Sequence, residues 1–261
     1  YMPADLIDPK STITGKRPEM RDVTNWYFKL DSFRDLLLQW VKKLEDEPGS
    51  RKFVITSILE FLEPPVIHVK KDFIEQLDAI KDKLPEHKVV SDEKKTSIQL
   101  VFDRLEEREK ACQVLADNGI RYRTGKTLVP FRLTGNVEWG VPAPNIEGLD
   151  GLTVWVWPES LWAPISFTKT YLESMNADKE AWKDWWCSKE AEVHQFIGED
   201  NVYFYGPAEM AMFMAQQGPN PTVEPPEGQL QIPKLVVNNH LLFLNKKASS
   251  SGKIKPPSAR D

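Results

Sequence analysis

The side chains able to do chemistry are few and scattered. Four histidines, His68, His87, His194 and His240, show no HExxH or other ligand spacing, so no metal site is expected. Cys112 and Cys187 lie far apart in unlike contexts, which predicts neither a disulfide framework nor a zinc knuckle and fits a reducing cytosol. Gly198 ends the apolar run VHQFIG and Asp200 lies just beyond it. Ligands of open α/β sheets lie outside the carboxyl ends of the strands, and an ordinary strand-ending turn reads the same way. The stretch from Lys246 to Lys253 is rich in Ser, Gly and Lys, the composition of a flexible linker. Between Lys70 and Lys95 seven lysines face seven Asp or Glu, a cancelling run that predicts a solvated helical face rather than a binding site.

The elements that must position these residues come from periodicity. Phe33, Leu37, Trp40 and Leu44 recur at helical spacing after Asp31 and Ser32, which can cap the start, and Glu47-Pro48-Gly49-Ser50 stops the run. A second helix carries Val54, Ile58, Phe61 and Leu62, and a third Phe73, Leu77, Ile80 and Leu84. From Thr96 the pattern becomes a split β-α-β unit: SIQLVF as a strand, DRLEEREKACQVLADNG as a helix closed by Gly119, and IRYRTGKTLVPFRL as strand, turn, strand. Further on, GLTVWVW reads as a β run, NADKEAWKDWWCSKE as a helix, VHQFIG as a strand, PAEMAMFMAQQ as a helix and KLVVNN as a strand. Strand, helix, strand with apolar strands is the signature of a parallel crossover.

Composition bounds the function. The 261 residues suffice for one large domain or two ordinary ones, at roughly 100 to 200 residues each. With 41% hydrophobic and 28% charged residues the chain reads as globular. No apolar run approaches the ~20 residues that span a bilayer, and no leader opens the chain, so no membrane partner and a cytoplasmic location are expected. The formal charge of -5 requires any nucleic-acid contact to come from a local patch.

Five segments, in order, resemble methionyl-tRNA synthetases of class I. LIDPKSTITGKRPEMRDVTNWYFKLDSF is similar to the stretch that leaves the family's zinc-knuckle connective domain, and WGVPAP to its return into the catalytic core. LTVWVWPESLW resembles the family's VW-x-D-A-P-x-x-Y, FIGEDNVYFY its FIGKD-x-x-x-FH, and VVNNHLLFLNKKASSSG the strand and loop that deliver KMSKS. These matches cover residues 1 to 33 and 134 to 261. The implied fold is α/β, the C-terminal half of a Rossmann-type parallel sheet, with an inserted helical and α+β subdomain. The implied domains are 1–33 as the end of the connective segment, 34–133 as the insertion and 134–261 as the second half of the catalytic domain.

The activity this resemblance implies is ATP-dependent formation of an aminoacyl-adenylate, then transfer to tRNA. Its partners would be ATP with Mg2+, methionine or a similar apolar amino acid, and tRNA. Gly198, Asp200 and Lys247 would bind ATP; Lys247, Ser249, Ser250 and Ser251 would form the catalytic loop; Trp155, Trp162 and Tyr205 would line the amino-acid pocket. The sequence departs from the family where Ser250 replaces the second loop lysine, a loss of ~2 to 4 kcal/mol of transition-state stabilisation by analogy with other single-donor losses. Tyr205 replaces a histidine, Gly135 an arginine, and Trp157-Pro158-Glu159 the Asp-Ala-Pro. No segment resembles HIGH, so this chain alone is expected to be inactive. Two alternatives stand beside this one: a paralogue adenylating another amino acid or using a non-tRNA acceptor, and a non-catalytic pseudo-synthetase binding module.

Overall fold

The computed structural model describes residues 10, 15–17, 19, 23–47, 49–137 and 139–247. In chain order the elements are β1 (Tyr27–Phe28), α1 (Arg34–Asp46), α2 (Lys52–Leu62), β2 (Val66–Lys70), α3 (Ile74–Ala79), β3 (Lys88–Val90), β4 (Ser97–Val101), α4 (Leu105–Asp117), β5 (Tyr122–Thr124) and β6 (Phe131–Arg132). They continue with β7 (Thr134–Gly135), β8 (Thr153–Val154), α5 (Val156–Ser174), α6 (Lys183–Trp186), β9 (His194–Gly198), α7 (Glu209–Ala215), β10 (Lys234–Asn238), β11 (Leu242–Phe243) and β12 (Lys246–Lys247). The class is mixed α/β. Two compact units divide the chain: residues 1–27 with 132–155, and residues 28–131 with 156–261. Among the described residues no helix is long and apolar enough to cross a membrane.

In the larger unit α1 buries Leu37, Trp40, Val41 and Leu44, an i, i+3, i+4, i+7 face, and each such burial stabilises by roughly 1.5–3 kcal/mol. Asp31 and Ser32 do not cap it; they lie in a 3-10 turn, Leu30–Phe33, and Phe33 takes the cap position. The helix expected through Leu84 is only six residues long, because 3-10 turns flank it at Lys71–Phe73 and Lys81–Lys83.

The split β-α-β unit is present and larger than its sequence pattern. Its sheet runs β3-β4-β2-β5. Strands β4 and β5 are both antiparallel to β2 and therefore parallel to each other, with β2 between them. Ile67, Val69, Ile98 and Leu100 turn inward against Leu77 of α3 and Ala111, Cys112 and Leu115 of α4. Gly119 ends α4 with φ +70, a conformation that glycine adopts without cost. The expected strand-turn-strand over 120–133 is not a hairpin: β5 joins β2, whereas β6 pairs with β1. The first and last strands of the unit meet, since the Gly125 N–H donates to the Val66 carbonyl at 2.9 Å, and Thr127 Oγ1 donates to the Glu63 carbonyl at 2.8 Å.

In the smaller unit β7 and β8 pair antiparallel, Thr134 opposite Val154 and Gly135 opposite Thr153. The Trp26 N–H donates to Thr134 Oγ1 and its indole N–H to the Gly148 carbonyl, both at 2.9 Å. The expected β run GLTVWVW gives only Thr153–Val154. From Val156 the chain is helical, which Pro158 permits because first-turn N–H groups have no helical partner anyway. The helix expected over 176–190 shrinks to Lys183–Trp186.

Candidate functional site

Strands β9 and β10 are parallel, in register from Lys234 opposite His194 to Asn238 opposite Gly198. Both therefore end at one level, and the segments leaving them issue from the same carboxyl edge. After β9 comes the turn Glu199–Asn201; after β10 comes the hairpin β11–β12, with Leu242 opposite Lys247. Leu244 and Asn245 make that hairpin's turn at φ 51 and 59, a two-residue type I′ geometry that suits asparagine and strains leucine.

At this edge Asp200 is half exposed, and its Oδ2 lies 3.7 Å from His240 Nε2. Glu199 Oε1 takes the other side of the ring, 3.0 Å from His240 Nδ1, and also accepts from the His240 backbone N–H at 3.4 Å. Two carboxylates from one strand end thus clasp an imidazole from the other. Glu199 and His240 carry no signal in the sequence, being 41 positions apart without motif spacing; only the parallel pairing brings them together. Gly198 is extended, at φ -80, so its constraint is spatial: a Cβ there would sit 2.8 Å from Asp200 Oδ1 and displace that carboxylate. Among the described residues no group of three or more His, Cys, Asp or Glu is set to hold a metal ion.

Beyond the turn, an aromatic stack crosses the larger unit. Trp157 of α5 lies face to face with Phe204, with centroids 3.6 Å apart and planes 6° from parallel. Phe204 also meets Tyr203 edge-on at 5.5 Å and Phe131 at 6.3 Å, and Tyr203 meets Phe61 at 4.8 Å. Burial pushes the Tyr203 phenol up to about 12 while its O–H donates to the Val129 carbonyl. Tyr205 is half-buried in the π-helical turn Phe204–Ala208 that leads into α7.

The expected pocket tryptophans fall in different units. Trp155 is in the smaller, where the Arg132 guanidinium stacks on its ring at 3.9 Å and Gly135 lies beneath it: a Cβ at Gly135 would come within 2.8 Å of the ring. Trp162 is in the larger, on α5, packed against Phe213 at 5.2 Å and the core cluster of Ile165, Trp186 and Leu230. Lys247 is placed by its backbone in β12; Ser249, Ser250 and Ser251 lie outside the described residues.

Behind β9 lies a buried acid. Glu209, at the start of α7, is fully enclosed, and its Oε1 accepts from Gln195 Nε2 at 2.9 Å. Glu209 Oε2 and Gln195 Oε1 have no partner. Burial pushes this carboxyl up to about 8, against a smaller downward pull from Gln195. Such a group is neutral at pH 7, and the proton makes Oε2 a donor where Gln195 Oε1 lacks one.

Comparison with known proteins adds an independent line. A family model described as tRNA synthetases class I (M) matches residues 1–73 and 97–255. That match runs through much of 34–133, which the five motifs leave out, and omits only 74–96 internally. The methionine–tRNA ligase of Sulfurisphaera tokodaii is 25% identical over 255 residues, covering 97% of this chain and 31% of the relative. That of Parabacteroides distasonis is 25% identical over 242 residues, covering 93% and 24%, and that of Aeropyrum pernix 33% identical over 125 residues, covering 47% and 22%. The chain spans about a third or less of the curated relatives it matches.

Proposed function

Because this chain belongs to the class I tRNA synthetases of type M, we propose that it supplies the second half of the nucleotide-binding fold of an ATP-dependent methionine–tRNA ligase acting in the cytoplasm. The observation that carries this reading is the shared carboxyl edge of β9 and β10, from which both the Gly198–Asp200 turn and the hairpin bearing Lys247 emerge. A nucleotide bound outside that edge touches both.

In the reaction, a carboxylate oxygen of the amino acid attacks the α-phosphorus of ATP and pyrophosphate leaves; a ribose hydroxyl of tRNA then attacks the acyl carbon and AMP leaves. The protein's part is positioning and stabilisation of developing phosphate charge. Asp200 accepts hydrogen bonds from the ribose hydroxyls of ATP, oriented by His240, which Glu199 holds from its far side. Gly198 leaves the approach free of a Cβ. By the family resemblance Lys247 would supply an ammonium to the phosphates, and Ser249, Ser250 and Ser251 would add hydroxyl donors. Mg2+ would arrive with the triphosphate, since that ion keeps waters and phosphate oxygens and needs at most one or two carboxylates; Asp200 and Glu199 are the candidates at this edge. Tyr205 and Trp162, both on the larger unit, offer aromatic surface, on which a thioether packs favourably.

The substitution of Ser250 for the family's second loop lysine favours a second reading, a non-catalytic binding module. ATP–pyrophosphate exchange by the full-length protein, run with each amino acid in turn, separates the possibilities. Exchange with methionine supports the ligase; exchange with another amino acid alone assigns a paralogue; exchange with none defeats the catalytic reading.

A further inference from the structure

The uncovered face of the four-stranded sheet gathers cations that the sequence scatters. His68 of β2 sits between Gln99 of β4 and Arg123 of β5; two residues along, Lys70 is opposite Ser97, and the same register carried one residue past β5 sets Arg121 on its other side. Side chains alternate along a strand, so these six stand on one face while Ile67, Val69, Ile98 and Leu100 fill the core on the other. An open cavity of about 480 Å³ lies there, with Asp72 the one carboxylate among its lining residues. Lys70, Arg121 and Arg123 are exposed, and among the described residues none of them has an ion-pair partner.

Asp72 lies at this cavity, and Glu60 and Glu63 share a second lining with His68 and Arg123; the acids of α3 and α4 lie elsewhere. Glu75 and Asp78 are exposed on α3, and Glu106, Glu109 and Asp117 on α4, the helices that cover the opposite face. Of the charged residues in the run from 70 to 95, Lys70 and Asp72 line this cavity, while Arg121 and Arg123 come from outside it. Burial, with Arg123 and Lys95 adding to it, holds His68 below its ordinary value, so the imidazole is neutral at pH 7 and offers one donor and one acceptor.

We propose that this sheet face binds RNA along its phosphodiester backbone. The cations come in successive rows about 7 Å apart along the strands, a spacing that suits a chain of anions better than a single one. Ser97, Gln99 and His68 between them supply the hydrogen bonds that sugar and base edges take. This binding does not depend on the adenylation chemistry proposed above.

The test is anisotropy of a labelled oligouridylate titrated with the full-length protein across a salt series. Binding should weaken with salt, and Lys70→Ala, Arg121→Ala and Arg123→Ala should each weaken it several-fold and reduce the log–log salt slope by about one. Arg123→Lys should keep the slope, and Lys110→Ala, on α4, should leave binding as in the parent. Failure to bind RNA at low salt, parent-like binding by the Arg121→Ala/Arg123→Ala double variant, or capture of anionic vesicles without RNA would each overturn the proposal. ATP–pyrophosphate exchange run on the same variants should match the parent. If the parent itself shows no exchange while the salt slopes change as expected, the ligase reading fails and the RNA site stands.

Discussion

Replacing Glu209 by Gln probes the acid enclosed behind β9. The parent carboxyl has its folded value raised from 4.5 to about 8, so between those pH values the folded state holds a proton that the unfolded state has released. Stability therefore falls as pH rises through that window: the contribution is fully present below about 4.5 and gone above about 8. At roughly 1.4 kcal/mol per pH unit, the decline amounts to about 3 kcal/mol by pH 7 and about 5 kcal/mol in full. Glutamine keeps the shape, does not titrate, and carries an amide N–H donor where the protonated acid carries an O–H. Parent and Glu209→Gln should accordingly be nearly equally stable at pH 4.5, with the variant gaining steadily above it. Urea unfolding followed by tryptophan fluorescence at half-unit intervals from pH 4.5 to 9 measures the difference. A difference that stays constant across the series refutes the reasoning, because a neutral carboxyl is then not what the folded state keeps.

Gly135→Ala should destabilise the smaller unit by about 1–3 kcal/mol, since its Cβ meets the Trp155 ring at 2.8 Å; thermal unfolding reads it, and Gly135→Ala/Trp155→Leu should recover part of the loss. Leu244→Asn relieves a left-handed leucine that is 68% exposed and packs little; amide exchange in the β11–β12 hairpin should slow by up to roughly tenfold, equivalent to about 1 kcal/mol. In the full-length protein Lys247→Ala should slow single-turnover adenylate formation, and Ser250→Lys should accelerate it by roughly tenfold or more with methionine affinity unchanged. If neither rate moves, this loop takes no part in the chemistry.

Long periodic segments were legible from sequence. α1, α2, α4 and the pair β9 and β10 follow from apolar spacing, and Gly119 marks its helix end. Short strands were not: Val66–Lys70, the central strand of the four-stranded sheet, hides between Pro65 and a lysine pair, and its two-residue alternation is too brief to stand out from the helices around it. GLTVWVW misled because β-branched and aromatic residues also start a helix when a first-turn proline and Glu159 come next. At the candidate site, Gly198 and Asp200 were visible as a strand-ending turn, whereas His240 and Glu199 were not, because their meeting is made by parallel strands forty residues apart. The basic sheet face was not legible because only the pairing of β2 with β5 brings Lys70, Arg121 and Arg123 together.

The contact between Val66 and Gly125 closes the four-stranded unit at its base. A segment whose first and last strands are antiparallel neighbours enters and leaves its host at one point, so everything from β2 to β5 hangs from a single doorway. Deleting residues 67–124 would leave a gap that the 2.9 Å hydrogen bond across it already shows to be closable by a peptide of a few residues. A shortened protein joined at Val66 and Gly125 should fold and keep the geometry at the ends of β9 and β10.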